Sequence, residues 1–119
     1  MVELAFKLLI AHALADFSLQ TSAMARGKAR SSKPDFIQEM NMVSLFWPYW
    51  LTAHALIHGG AVWVVTGSMT LGIVEVVLHW IIDFAKCEKW TNIHIDQLLH
   101  MICKAGYVLY LTGRLPFLS

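Results

Sequence analysis

Polar residues enter four apolar segments of this chain at a fixed interval of four. In "IVEVVLHWIIDFAK", residues 73–86, Glu75, His79 and Asp83 stand four apart on a background of Val, Ile, Leu, Phe and Trp. His12 and Asp16, His54 and His58, and Asp96 and His100 repeat that spacing in the other three segments. Residues four apart stack on one face of an α-helix, because 3.6 residues complete a turn. The pattern predicts an all-α chain of four helices, over about 3–22, 46–66, 70–87 and 94–113. Each is apolar around most of its girth and polar along one stripe. Pro48 suits the first turn of the second helix, where its missing N–H costs nothing. Gly67 and Ser68 break the chain before the third helix, and the fourth stops before Pro116. The one long polar stretch, "ARGKARSSKPDFIQEMN", falls in a loop of about 23–45.

Composition moves this reading toward a membrane. Hydrophobic residues make up 57 % of the 119 and charged ones 14 %, against roughly 45–50 % and about 25 % in ordinary soluble domains. No Lys, Arg, Asp or Glu occurs between Glu39 and Glu75, and about 20 apolar residues span a bilayer. The expectation is one domain, residues 1–119, a polytopic four-helix transmembrane bundle in the inner (cytoplasmic) membrane. A soluble helical core protein is the alternative, disfavoured because no segment has a broad polar face. Residues 3–22 are a retained helix rather than a signal peptide, since Glu3 precedes the apolar run and His12 and Asp16 interrupt it.

Charge placement sets the expected orientation. Arg26, Lys28, Arg30 and Lys33 lie in the first connection, and Lys86 and Lys89 near the third. The tight turn between the second and third helices carries no charge. The positive-inside rule puts both charged connections in the cytoplasm and both termini outside. Trp47, Tyr49, Trp50 and Trp90 then fall near the cytoplasmic interface. A net charge of +1 gives no reason to expect nucleic acid. Cys87 and Cys103 lack metal or redox spacing and read as core fillers.

The stripes carry the candidate chemistry. Counted from the predicted cytoplasmic helix ends, Asp16, His54, His79 and His100 lie six to eight residues in, or about 9–12 Å. Four helices of alternating direction therefore bring their polar residues to one depth. An acid at a helix centre costs about 2.5–3.5 kcal/mol to insert, so these groups need partners. Asp16, Glu75, Asp83 and Asp96 supply four negative charges, and His12, His54, His58, His79 and His100 supply imidazoles. Mixed nitrogen and oxygen donors suit Zn, Mn or Fe, one or two divalent ions per chain. The competing reading is a hydrogen-bonded polar core that only glues the helices, with Asp83 paired to Lys86. Gln20 and Gln97 read as hydrogen-bond partners of the ligands, and His94 as a surface group at a helix start.

At these residues the sequence resembles the family called domain of unknown function 3307, small integral membrane proteins of bacteria and their phages. "AHALADFSLQTSAMARGK", "LTAHALIH", "EVVLHWIIDFAK" and "IDQLLH" match its successive motifs in order. The resemblance implies that His12, Asp16, Gln20, Lys28, His54, His58, Glu75, His79, Asp83, Lys86, Asp96, Gln97 and His100 are the positions the family marks. It brings no established activity.

The expected function is metal-dependent hydrolysis of a lipid-linked or membrane-proximal substrate, with a phosphoester preferred because a basic loop overhangs the site. Glu75 or Asp83 would serve as general base and Lys86 would stabilise an oxyanion. Membrane lipids are the expected partners, with a homo-oligomer or a host membrane protein as further candidates. Two rivals come from other classes: an ion- or proton-coupled transporter, and an interaction protein whose polar core is structural.

Overall fold

The computed structural model describes residues 1–30 and 47–113. Its elements are α1 (Val2–Ala13), a π-helical turn (Leu14–Ser18), α2 (Ser22–Gly27), α3 (Trp47–Thr66), α4 (Met69–Cys87) and α5 (Ile93–Leu111). α1, α3, α4 and α5 are the four long helices that the spacing predicts. They pack cyclically, α1 against α3, α3 against α4, α4 against α5 and α5 back against α1. The first predicted helix differs, because it does not run unbroken to residue 22. The π turn ends it, with the Leu19 N–H reaching the Leu14 carbonyl at 2.8 Å, and α2 starts afresh at Ser22.

Local chemistry sets the other helix ends. The α3–α4 turn passes through Gly67 at φ +71°, where a side chain would be strained. Ser68 then caps α4, its hydroxyl accepting from the Leu71 N–H at 3.2 Å. Asn92 caps α5, its side-chain oxygen accepting from the His94 and Ile95 N–H groups at 2.9 Å each. α3 and α4 cross in near backbone contact. A Cβ at Gly59 would stand 2.6 Å from the Gly72 carbonyl oxygen, so only glycine permits the approach.

The bundle has a dry end and a polar end. Leu8, Val62, Leu71, Tyr107 and Val108 form an apolar cluster where α1 and α4 begin and α3 and α5 finish. Toward the opposite end the interior is polar. Among the described residues eleven polar or charged side chains are buried against nine apolar ones, so the interior is the more polar side of the fold. α4 shows the division on one helix: Glu75, His79 and Asp83 are buried, and Ile73, Val77 and Ile81 are exposed.

One expectation is corrected here. No helix among the described residues is long and apolar enough to cross a membrane. The predicted spans contain the polar stripes, and His54 and His58 in α3, or Glu75, His79 and Asp83 in α4, lower the mean hydropathy of the helix that carries them. The basic loop is also altered. Ser22–Gly27 is helical and Lys28 turns inward, 5 % exposed, whereas Lys33 lies outside the described residues. Cys87 and Cys103 are free thiols, half-buried.

Candidate metal centre

Asp16 is the hub of the polar interior. The π turn that carries it keeps it buried beneath His12, with His12 Nε2 3.2 Å from Oδ2. Across the bundle α3 aims two imidazoles at the other oxygen: His58 Nε2 is 3.0 Å from Oδ1 and His54 Nε2 3.3 Å. From α5, the Gln97 amide donates to Oδ2 at 3.0 Å and its carbonyl oxygen lies 3.1 Å from His12 Nε2. His79 of α4 stacks on the His58 ring at 3.6 Å between centroids and on the His100 ring at 4.2 Å. The predicted common depth is therefore a physical cluster.

Three donor groups converge within this cluster, each with ligand atoms inside 4.8 Å of one another. They are Asp16, His54, His58 and His79; Glu75, His79 and His100; and Asp83, Asp96 and His100. They differ in what already balances their charge. Lys28 donates to Asp83 Oδ2 at 2.6 Å and to Gln20 Oε1 at 2.7 Å. Lys86 lies 3.1 Å from Asp83 Oδ1 and 3.2 Å from Asp96 Oδ2. Lys104 donates to Glu75 Oε1, and the Tyr107 hydroxyl to Oε2 at 2.7 Å. Three ammonium groups thus face three of the four buried carboxylates, and Asp16 is the one without a lysine.

This changes the charge argument for two divalent ions, which counted the acids alone. One negative charge is left uncompensated, and it sits in the group with four donors. Buried polar atoms without a hydrogen bond occur both here and in the group of Asp83, Asp96 and His100. There both His100 nitrogens and one oxygen of each acid lack one, but Lys86 already balances charge. His54 is fully buried and neither of its ring nitrogens makes a hydrogen bond, and His79 Nε2 makes none either. A buried polar atom without a partner costs about 1–3 kcal/mol. The donor chemistry fits a tetrahedral ion. Ligands about 2.0–2.1 Å from Zn²⁺ stand about 3.3 Å from each other, close to the separations of His54 and His58 from Asp16.

The remaining predicted residues have distinct places. Glu75 sits toward the dry end with both oxygens engaged. His12 is in contact with Asp16 but belongs to none of the three donor groups, and His94 is exposed. Lys104 and Tyr107 are the functional candidates that the sequence reading missed. The signal was present: Lys104 continues the Asp96–His100 stripe at a further interval of four, and Tyr107 follows three later.

The model of one family, described as a protein of unknown function, DUF3307, matches residues 4–113. The chain belongs to the DUF3307 family. No curated protein and no solved structure matches it. Every striped position lies inside the matched DUF3307 segment, as do Lys104 and Tyr107. At the polar end, outside the long helices, Arg30 forms a two-point ion pair with Glu88, one contact at 2.8 Å. That hydrogen bond holds the Glu88 carboxyl below, and the Arg30 guanidinium above, the ordinary range. The pair therefore acts fully above the usual glutamate range and is lost as pH falls through the lowered value.

Proposed function

We propose that this chain is a membrane-embedded metal-dependent hydrolase, built around one divalent transition-metal ion held by Asp16, His54, His58 and His79. The observation that carries the reading is His54. It is a fully buried imidazole with no hydrogen bond on either nitrogen, and its Nε2 lies 3.3 Å from the one buried carboxylate that lacks a lysine. Zn²⁺, Mn²⁺ or Fe²⁺ would satisfy the donors and the charge together. Such an ion supplies Lewis-acid chemistry that activates water near neutral pH. The chain's own groups would do the rest. His100, with Nε2 3.5 Å from Asp96 Oδ1 and 3.7 Å from Asp83 Oδ1, is placed to take a proton. Glu75 is the poorer base, since its oxygens are already engaged. Lys86, partly exposed at the polar end, would meet an anionic substrate, which favours a phosphoester.

The membrane reading rests on the surface. Large apolar side chains are exposed along all four long helices, Phe6, Leu9, Leu56, Val64, Val77, Ile81, Leu98 and Ile102 among them. Exposed charges in the four long helices are confined to Glu3 and Lys7, near the dry end. A 19-residue α4 is about 28 Å long, close to the ~30 Å of a hydrocarbon core. Alone, the 12-residue α1 is too short and the other helices are too polar to cross, but four with their stripes turned inward present apolar faces to lipid. On this reading the polar end faces the cytoplasm, both termini lie outside, and the substrate is lipid-linked or membrane-proximal. A transporter would need a polar route through both halves, and the apolar cluster around Leu8, Val62 and Leu71 closes one of them.

Elemental analysis of detergent-purified protein tests the metal. About one Zn, Mn or Fe per chain is expected, retained in Arg30→Ala and lost in His54→Gln. Protein that stays metal-free after incubation with Zn²⁺, Mn²⁺ and Fe²⁺, yet is fully stable, would leave the polar core as structural glue. Release of phosphate from a lipid phosphomonoester by loaded wild type, and its absence in His54→Gln, tests the reaction.

A further inference from the structure

Glu75, Lys104 and Tyr107 form a buried group between the metal donors and the dry end, each no more than 5 % exposed. Glu75 Oε1 accepts from the Lys104 ammonium, Oε2 accepts from the Tyr107 hydroxyl, and His79 Nδ1 lies 3.3 Å from Oε1. We infer that Glu75 is a positioning residue, clamped by Lys104 and Tyr107 so that it fixes the proton of His79 on Nδ1 and leaves the Nε2 lone pair free for the donor group that His79 shares with Asp16, His54 and His58. The tautomer follows by elimination. An ammonium and a phenol both donate to this carboxylate, so it has the role of an acceptor, and the imidazole nitrogen facing it must bring the proton. The opposite tautomer would set a lone pair against Oε1. It would also aim Nε2–H at Asp83 Oδ2 from 3.9 Å, too far for a hydrogen bond.

The stacked rings leave little else to be decided. His79 lies between His58 and His100, with interplanar angles of 21° and 19°, so its plane is set by packing. What stacking cannot set is which nitrogen carries the proton, and Glu75 sets that. A metal-binding histidine gains basicity and a fixed orientation when its other nitrogen donates to a carboxylate, and loss of that partner typically weakens metal binding about 10–100-fold. Lys104 and Tyr107 act one step further out, by keeping the carboxylate in place.

The metal-facing half of the inference rests on the ion proposed above; the tautomer does not. Long-range ¹H–¹⁵N spectra of histidine-labelled, metal-free protein in detergent read the tautomer directly. Wild type should show His79 protonated on Nδ1, and Tyr107→Phe should keep that signature. Glu75→Gln should lose the preference and bind Zn²⁺ about 10–100-fold more weakly. Because Glu75→Gln leaves Lys104 unpaired in the interior, the neutral pair Glu75→Gln with Lys104→Met is made alongside it. A wild-type His79 protonated on Nε2 overturns the inference, as does a double variant that keeps both the Nδ1 tautomer and wild-type Zn²⁺ affinity. Wild type with the expected tautomer but no Zn²⁺ binding upholds the orienting role of Glu75 and sinks the metal reading instead.

Discussion

Asp16 and Asp83 are both buried carboxylates among imidazoles, but only Asp83 meets ammonium groups, and this separates their roles. Asp83 has Lys28 and Lys86, while Asp16 has histidines and the Gln97 amide. Asp16→Asn should therefore lower Zn²⁺ affinity by more than the ~10–100-fold expected for an outlying partner, as titration of the purified variant would show. Lys28→Met makes the complementary case. It strips Asp83 Oδ2 of its 2.6 Å partner, and breaking a buried pair on one side costs about 3–5 kcal/mol. Denaturant unfolding should show that loss, with Zn²⁺ binding retained in the folded fraction. The acids and imidazoles were legible from their i, i+4 spacing. Their neutralisation was not, because Lys28 reaches Asp83 across 55 residues of chain and Lys104 meets Glu75 on a different helix.

Periodicity carried the four long helices, since a stripe at every fourth residue has one regular explanation. The π turn was not legible. Leu14–Ser18 is built from residues that α-helices accept, and nothing in their spacing marks the shift to the i+5 hydrogen bond from Leu19 to Leu14. The α3–α4 crossing was equally hidden, because Gly59 and Gly60 look alike in sequence. A Cβ at Gly59 would meet Val76 and the Gly72 carbonyl, whereas one at Gly60 meets nothing within 4 Å. Gly59→Val should cost about 3 kcal/mol through forced separation of the helices. Gly60→Ala should raise stability by about 0.5–1 kcal/mol by removing a flexible residue from a helix interior. Thermal unfolding of the two variants side by side checks both signs.

For the molecule as a whole, the distribution of polarity is inverted, with carboxylates, lysines and imidazoles inside and Ile, Leu, Val and Phe outside. If that exterior faces lipid with the polar end in the cytoplasm, a cysteine at Lys89 should resist an impermeant thiol reagent in intact cells. A cysteine appended ahead of Met1 should react. Both are placed on a background with Cys87 and Cys103 replaced by Ser. Labelling at position 89 from outside would reverse the orientation, and recovery of both forms from the aqueous fraction without detergent would remove the membrane reading.

The sequence by itself determined the helices, their apolar faces and the identity of nearly all the buried polar groups, because each follows from residues a turn or two apart. The expectation that single helices would span a bilayer failed in three of them for the same local reason, since the stripes that identify them also make them too polar to cross alone, and in α1 because it ends after 12 residues. Only the tertiary structure decided which carboxylates meet ammonium groups, that Lys28 turns inward, and that Glu75 is held by Lys104 and Tyr107. Those pairings join α4 to the chain before α3 and to the far half of α5. Charge balance among buried groups is a property of distances in space, and no spacing along one helix encodes it.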